Sequence, residues 1–134
     1  MNVRSIDHLN LAIPDDGIEA ARRFYVDGLG LSLDNVDRFE SGDKPFFDVR
    51  LSSEHVLHLR PTDGFVEPDG TDYHHVALVV EEDIETVRAR LAEAGIDIER
   101  ELDGPLGATG EADAVYVRDP FGYRVELKEP VAEG

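Results

Sequence analysis

Three histidines and one glutamate occupy matching positions in the two halves of the chain. His8 and His58 are 50 positions apart, and His75 and Glu126 are 51 positions apart. Imidazole nitrogens and a carboxylate oxygen are donors that suit a divalent first-row metal ion, with water or substrate in the remaining positions. The chain has no cysteine, so histidine and carboxylate must hold any metal ion. These four residues are therefore the predicted metal ligands.

The face on which the ligands lie follows from the alternation of polar and apolar residues in a β-strand. His58 lies between two leucines, and Glu126 lies between Val125 and Leu127. Because successive side chains of a strand point to opposite faces, the ligands project from the face opposite the apolar residues. If each apolar face covers its helix, two curled sheets enclose a polar cup with the ligands inside. For any one of these residues alone, a solvated strand face is the simpler interpretation.

The elements that must position these residues are predicted twice, in the same order. The first half predicts a strand, a helix and three strands over Ser5–Ile13, Ile18–Val26, Leu31–Val36, Pro45–Leu51 and Glu54–Arg60. The second half predicts the same order over Tyr73–Val80, Ile84–Ala94, Ile96–Glu101, Ala114–Arg118 and Tyr123–Lys128. A polar linker, Pro61–Thr71, separates the halves, and Asp103–Glu111 is predicted to be a mobile loop that could act as a lid. The predicted fold is α+β, with two tandem βαβββ modules, about 1–64 and 72–130, in a single domain 1–134 whose mixed sheets form the cup.

The residues themselves support this repeat. His8-Leu-Asn-Leu-Ala-Ile13 matches His75-Val-Ala-Leu-Val-Val80, and Val56-Leu-His-Leu-Arg60 matches Arg124-Val-Glu-Leu-Lys128. Asp119-Pro-Phe-Gly122 is a turn signal between the last two strands, because proline presets φ and glycine accepts φ > 0. Two copies of one unit therefore place a potential ligand at the same two positions.

Several other polar residues share the predicted ligand face: Asn10, Arg60, Arg124 and Lys128. Arg60, Arg124 and Lys128 could hold a substrate carboxylate or phosphate, and a charged rim beyond the sheet is the alternative. The predicted substrate-binding residues are Asn10, Arg60 and Arg124. His55 and His74 have the opposite parity and are predicted to be surface or packing residues. His74 precedes His75 directly, so it could still support that ligand.

The charge of the chain limits its partners. Thirty acidic residues oppose thirteen basic ones, which gives a net charge of −17, and this field opposes nucleic acid and anionic membranes. Concentrated salt would screen the self-repulsion, so the composition is typical of a protein from a high-salt cytoplasm, with an ordinary acidic protein as the alternative. The N-terminus predicts no signal peptide and no apolar run predicts a membrane span, so we expect a cytoplasmic location.

The chain resembles the vicinal oxygen chelate superfamily, the group of glyoxalase I, extradiol dioxygenases, fosfomycin-resistance thiol transferases and bleomycin-binding proteins. The resemblance rests on four segments: Ile6-Asp-His-Leu-Asn-Leu-Ala12, Phe24-Tyr-Val-Asp-Gly-Leu-Gly-Leu31, His75-Val-Ala-Leu-Val-Val80 and Asp119-Pro-Phe-Gly-Tyr-Arg-Val-Glu126. It covers nearly the whole chain. The chemistry that it implies is chelation of a substrate through neighbouring oxygens, with a metal ion stabilising the developing anion.

Within this group, the resemblance to glyoxalase I implies a metal-dependent lyase or isomerase. That enzyme draws ligands from four equivalent strands, which His8, His58, His75 and Glu126 occupy here. Glu126 would also move the substrate proton, and Tyr116 would donate a hydrogen bond to the substrate. The implied cofactor is a divalent ion: Zn, Ni, Co, Mn or Fe(II). The arginine that glyoxalase I uses for glutathione is replaced, since Leu11-Ala-Ile13 occupies that place.

Other members of the group supply the alternatives. An extradiol dioxygenase would bind Fe(II) through His8, His75 and Glu126, although Gly107-Ala-Thr-Gly110 replaces its signature histidine. A fosfomycin-type thiol transferase would share that triad and Tyr116, and a non-catalytic protein would only sequester a drug or metabolite. The expected partners are a small-molecule substrate and a second copy in a homodimer. The sequence leaves open whether the two modules of a site come from one chain or from exchanged protomers.

Overall fold

The computed structural model describes residues 1–132 of the 134-residue chain. The chain divides into two compact units, Met1–Val66 and the part from Glu67 onward. This division falls within the predicted linker Pro61–Thr71. No helix among the described residues is long and apolar enough to cross a membrane.

The first unit contains one four-stranded mixed sheet. Its elements are β1 (His8–Pro14), α1 (Ile18–Ala21), a π-helical segment (Arg22–Gly28), β2 (Ser32–Asp34), α2 (Val36–Glu40), β3 (Phe47–Arg50) and β4 (Val56–Thr62). The strand order is β1-β4-β3-β2, with β1 parallel to β4 and the other neighbours antiparallel. The buried core alternates along the strands, as the predicted parity requires: Ile13, Phe47, Val49, Leu57 and Leu59 have no exposed surface. Burial of each such side chain stabilises the fold by about 1.5–3 kcal/mol.

The second unit repeats this topology. Its elements are β5 (Val76–Val79), α3 (Ile84–Glu93), β6 (Arg100–Leu102), β7 (Leu106–Gly107), β8 (Gly110–Glu111), β9 (Ala114–Arg118) and β10 (Arg124–Lys128). The four-stranded sheet has the order β5-β10-β9-β6, with β5 parallel to β10, and β7 and β8 form a separate hairpin. If the β7–β8 hairpin is left out, both sheets have the same strand order: the first strand of the unit lies at one edge, followed by the fourth, the third and the second. The predicted α+β fold with two βαβββ modules is confirmed.

The helix of the second unit has clear sequence signals at both ends. Asp83 caps α3, because its carboxylate accepts the backbone N–H of Thr86 at 2.9 Å. The apolar residues of one helical face, Ile84, Val87 and Leu91, are buried. Gly95, at φ 70°, ends the helix, since glycine adopts this left-handed conformation without steric cost.

Two local features of the first unit differ from the prediction. The helix predicted over Ile18–Val26 is α-helical only to Ala21 and continues as a π-helical segment. The strand predicted over Leu31–Val36 ends at Asp34, and helix α2 follows it. The change of direction occurs at Asn35, whose φ of 64° is left-handed and cannot continue a strand.

In the second unit, the predicted loop Asp103–Glu111 contains the short hairpin of β7 and β8. Lys128 holds this segment. Its buried ammonium group donates hydrogen bonds to the carbonyl oxygens of Pro105, at 2.8 Å, and Gly110, at 3.0 Å. A Cβ atom at position 107 would come within 2.6 Å of Lys128 Nζ, so a larger residue there would displace the ammonium group.

Lys128→Met is expected to loosen this hairpin. Methionine fills similar volume but cannot donate to the two carbonyl oxygens, and each such bond contributes about 1 kcal/mol. Amide hydrogen exchange over 104–111 should therefore accelerate by about tenfold or more, as measured by mass spectrometry. Lys44→Met, the same change at the other lysine of the chain, should leave this segment unaffected. Equal protection in both variants would contradict the anchoring role.

The turn between β9 and β10 is organised by a buried aspartate. Oδ1 of Asp119 accepts the backbone N–H of Phe121 at 2.9 Å and of Tyr123 at 2.8 Å. Gly122 has a φ of 95°, which the turn signal Asp119–Gly122 predicts. This turn fixes the register in which Glu126 pairs with Tyr116 across the two strands.

Candidate functional site

In the first unit, the parallel pairing of β1 and β4 brings two predicted ligands together. The register places His58 opposite Asn10, two residues along β1 from His8, on the same face of the sheet. The ring centroids of His8 and His58 are 4.2 Å apart. Both imidazoles can therefore donate to one small ion from this face.

Hydrogen bonds to carboxylates orient both rings of this pair. Nδ1 of His58 lies 2.5 Å from Oδ1 of Asp48, a residue that is only 4% exposed. The ring centroids of Phe46 and His58 are 3.9 Å apart. Nδ1 of His8 lies 2.7 Å from Oδ2 of Asp7, and this hydrogen bond lowers the pKa of Asp7. Since Nδ1 is engaged in both rings, Nε2 is the atom left to bind a ligand.

In the second unit, the predicted ligands His75 and Glu126 also meet. Nε2 of His75 lies 3.4 Å from Oε1 of Glu126. Glu126 is only 6% exposed, although it lies in mid-strand among charged neighbours, so the solvated-face interpretation is wrong for this residue. Its cross-strand partner is Tyr116, whose ring lies 5.2 Å from the ring of His75. Glu126, the predicted proton-transfer group, and Tyr116, the predicted hydrogen-bond donor, thus both lie next to His75.

The predicted substrate-binding residue Arg124 makes several contacts within the second unit. Nε donates to Glu99 at 2.7 Å, Nη1 lies 3.1 Å from Nε2 of His74, and the guanidinium lies 4.8 Å above the Tyr116 ring. Arg118 donates to the same Glu99. The two hydrogen bonds hold the pKa of Glu99 below its usual range, and the one from Arg118 has the larger effect. The charge of Arg124 is therefore partly neutralised by the protein.

The two remaining substrate-binding candidates contact each other in the first unit. Nε of Arg60 donates to Oδ1 of Asn10 at 3.2 Å, and both side chains are exposed. Among residues 1–132, no carboxylate forms an ion pair with Arg60. Its charge therefore remains available to an anionic group.

The two remaining histidines lie outside the predicted ligand set. His55 bonds to the hydroxyl of Ser52 at 2.6 Å. His74 lies with its Nδ1 2.6 Å from Nδ1 of His75, so it contacts a predicted ligand directly. His74 is therefore a neighbour that can influence the His75 ring.

A polar cleft of about 470 Å³ lies in the first unit near the histidine pair. Its lining includes both orienting carboxylates, Asp7 and Asp48, together with Arg4 and Arg50. Arg50 is itself paired with Asp34 at 2.8 Å. The cleft therefore brings both signs of charge next to the carboxylates that orient the ligands.

The donor atoms suit a divalent metal ion, but only two of them meet in each unit. Bonds of about 2.0–2.1 Å in a tetrahedral site separate the donors by roughly 3.3 Å, close to the 3.4 Å between His75 Nε2 and Glu126 Oε1. Within residues 1–132, no group of three or more His, Asp or Glu side chains is gathered as a metal site. The binding of one ion by all four residues stays a prediction.

Asp48 and Asn35 contribute to this site and were not among the predicted site residues. Asp48 lies between Phe47 and Val49 in a predicted strand, and its parity puts it on the polar face opposite His58. That parity is the signal that could have identified it. Asn35 gave no such signal, because only its left-handed backbone brings its amide to Asp48.

Comparison with known proteins identifies the class to which the fold belongs. Residues 5–127 match the Glyoxalase/Bleomycin resistance protein/Dioxygenase superfamily, and the chain belongs to this superfamily. The resemblance drawn from the sequence is therefore confirmed. Members of the superfamily commonly use divalent metal ions.

Two curated relatives are similar over nearly the whole chain. Virulence protein STM3117 of Salmonella typhimurium is 30% identical over 136 residues, which cover 98% of this chain and 88% of that protein. Glutathione transferase FosA of Serratia marcescens is 31% identical over 130 residues, which cover 93% of this chain and 80% of that protein.

Solved structures show the same fold. The crystal structure of virulence protein STM3117 has a TM-score of 0.76 at 26% identity and covers 98% of this chain and 100% of its own. Lactoylglutathione lyase from Agrobacterium tumefaciens has a TM-score of 0.67 at 21% identity, and the match covers 96% of this chain and 95% of that one. At this identity the match shows similarity of fold alone.

Proposed function

We propose that the chain is a metal-dependent lyase or isomerase of the glyoxalase type, acting on a small oxygenated substrate. The predicted ligands are His8, His58, His75 and Glu126, and the ion would be Zn, Ni, Co, Mn or Fe(II). The observation that supports the proposal is that the predicted ligands of each unit lie side by side: His8 with His58, and His75 with Glu126. Two unrelated surface pairs would not be expected at equivalent positions of a repeat.

The proposed reaction is proton transfer next to a carbonyl group. A bound metal ion would supply Lewis-acid stabilisation of the negative charge that develops on the substrate oxygen. Glu126 accepts the proton at a carboxylate oxygen and returns it to the neighbouring carbon, because it is the only carboxylate among the four ligands. Tyr116, next to both second-unit ligands, donates a hydrogen bond to the substrate.

Substrate binding is assigned to Arg60 with Asn10, and to Arg124. In the described part of the chain, the Arg60 guanidinium donates a hydrogen bond to the neutral amide of Asn10 and forms no ion pair, so it can pair with a substrate carboxylate or phosphate. Arg124 already shares Glu99 with Arg118, so it contributes less charge. The substrate is therefore expected to carry an acidic group.

Thiol transfer is the second candidate, because the relative from Serratia marcescens is named a glutathione transferase. A transferase would use His8, His75 and Glu126 as its metal triad, with Tyr116 at the substrate. The isomerase should catalyse solvent deuterium exchange next to a substrate carbonyl, whereas the transferase should consume glutathione. Oxygen uptake on catechols would identify an extradiol dioxygenase, and ligand recovered unchanged from metal-free protein would identify sequestration.

Metal analysis tests the proposed ligand set. Protein purified without chelator is expected to contain about one divalent ion per ligand set. His58→Ala should weaken Zn²⁺ or Ni²⁺ binding by about 100-fold in calorimetric titration of the stripped protein, because it removes one of four donors. His55→Ala, a matched control at a histidine that bonds to Ser52 before strand β4, should bind within about twofold of the wild type. Full metal occupancy in His58→Ala would remove this residue from the ligand set.

The acidic surface supports a high-salt cytoplasm as the working environment. The net charge of −17 gives repulsion that concentrated salt screens. A homodimer is the proposed assembly, since two modules with half of the ligands each can be combined from one chain or from two.

A further inference from the structure

The environment of His58 contains a hydrogen-bonded chain that metal ligation alone does not require. Oδ1 of Asp48 lies 2.5 Å from Nδ1 of His58, and Nδ2 of Asn35 donates to Oδ2 of Asp48 at 2.8 Å. The three residues come from β4, β3 and the residue before α2. Asp48 is only 4% exposed, and its two carboxylate oxygens are held by His58 and Asn35.

Asn35 adopts an unusual conformation to make its contact. It is the one non-glycine residue with positive φ in residues 1–132, and it occupies the N-cap position of α2. An N-cap asparagine ordinarily accepts a backbone N–H of the first helical turn, yet this side chain makes no such bond. Its amide is directed to Asp48 instead. Sparsely populated backbone conformations persist where the surroundings require them, often at functional sites.

The His8 ring provides a natural contrast within the same ligand pair. Its Nδ1 also meets a carboxylate, that of Asp7, at 2.7 Å. The Asp7 side chain, however, is 87% exposed and is adjacent in sequence, so water competes for the contact. Only the His58 ring has a buried carboxylate held in turn by a third residue, and only it lies against the aromatic ring of Phe46.

We propose that Asp48 and Asn35 are positioning residues that fix the tautomer and orientation of His58. The Asp48 carboxylate accepts a hydrogen bond from Nδ1–H of His58, so Nε2 keeps its lone pair and is the atom that can bind a metal ion. Asn35 holds the second oxygen of Asp48 and prevents that carboxylate from rotating. This inference rests on the proposed function, because it assigns the direction in which His58 presents its donor atom to a metal ion. Carboxylates that bond to ligating histidines act in this way in metal sites generally.

Nitrogen NMR of the metal-free protein tests the tautomer directly. In ¹⁵N-histidine-labelled protein at about pH 8, where an ordinary histidine is neutral, His58 is expected to show the Nδ1–H form. Asp48→Val removes the acceptor while keeping a side chain that favours strands, and it should convert His58 to a mixture of tautomers. Asp34→Val makes the same change at the cross-strand partner of Asp48 and should leave the His58 spectrum unchanged.

A second variant tests the same inference if Asp48→Val does not fold. Asn35→Gly tolerates the positive φ and removes only the amide, so the fold should be kept. It is expected to broaden or partly shift the His58 signal, and to weaken Zn²⁺ binding by about threefold, against about 10–100-fold for Asp48→Val. In the double variant the two effects should not add, because both act through the same carboxylate.

The outcomes separate this inference from the proposed function. An Nε2–H form of His58 in the wild type, or an unchanged spectrum in Asp48→Val, would overturn the positioning role whatever the metal titration shows. An Nδ1–H form in a wild-type protein that binds no divalent ion would overturn the proposed function instead. The expected combination, a tautomer and a metal affinity that change together in Asp48→Val but not in Asp34→Val, would establish both.

Discussion

Replacement of Glu126 by glutamine is expected to weaken divalent metal binding by about 100-fold or more. Glutamine has nearly the same shape, so the buried position beside His75 stays filled. The negative charge is lost, and a neutral amide is a poor ligand for a first-row ion. Calorimetric titration of stripped protein with Zn²⁺ and Ni²⁺ would measure the change.

Two companion measurements make this result specific. Proton transfer should also be lost in Glu126→Gln, even at metal concentrations that restore occupancy, because an amide cannot accept the substrate proton. Glu101→Gln, on strand β6 of the same sheet and paired with Arg88, should alter neither property. If Glu126→Gln bound metal as tightly as the wild type, the carboxylate would have no place among the ligands.

Asp119→Ala should have the largest effect on stability, lowering the free energy of unfolding of the second unit by about 3 kcal/mol. The substitution removes the acceptor of two buried backbone N–H groups, and each unsatisfied group costs about 1–3 kcal/mol. Urea unfolding followed by circular dichroism would measure this loss.

The conservative variant separates the hydrogen bonds from the charge. Asp119→Asn keeps an oxygen at the same place and should cost only about 1 kcal/mol, since it loses the charge assistance alone. Asp43→Ala, at an exposed carboxylate paired with Arg38, is the control that should change little. Equal stability of Asp119→Ala and the wild type would mean that water replaces the carboxylate in this turn.

The repeat was predictable because short sequence patterns specify each of its elements. The alternation around His58 and Glu126, and the capped amphipathic pattern of α3, each specify an element without reference to the rest of the fold. Two similar segments at equal spacing then require two similar units. Parity assigns each predicted ligand to the face opposite the apolar residues, since a strand fixes the face of every second residue.

The features that the sequence did not predict depend on single residues or on contacts between distant parts of the chain. Helix α2 was missed because one residue, Asn35, reverses the chain where the surrounding sequence favours a strand. The anchoring of the β7–β8 hairpin by Lys128 depends on residues 18 and 23 positions away, so no short window contains it. The hydrogen bonds of Asp48 arise in the same way, from three elements that only the folded chain brings together.

The division of ligands between the units bears on stereochemistry. Under the proposed function, the first unit offers only imidazoles, while the second offers the one carboxylate, Glu126. A single base can reach a flat enediolate from one side only, so the hydrogen that leaves and the hydrogen that returns would occupy the same face. Such a catalyst would distinguish mirror-image substrates and form a product of one handedness.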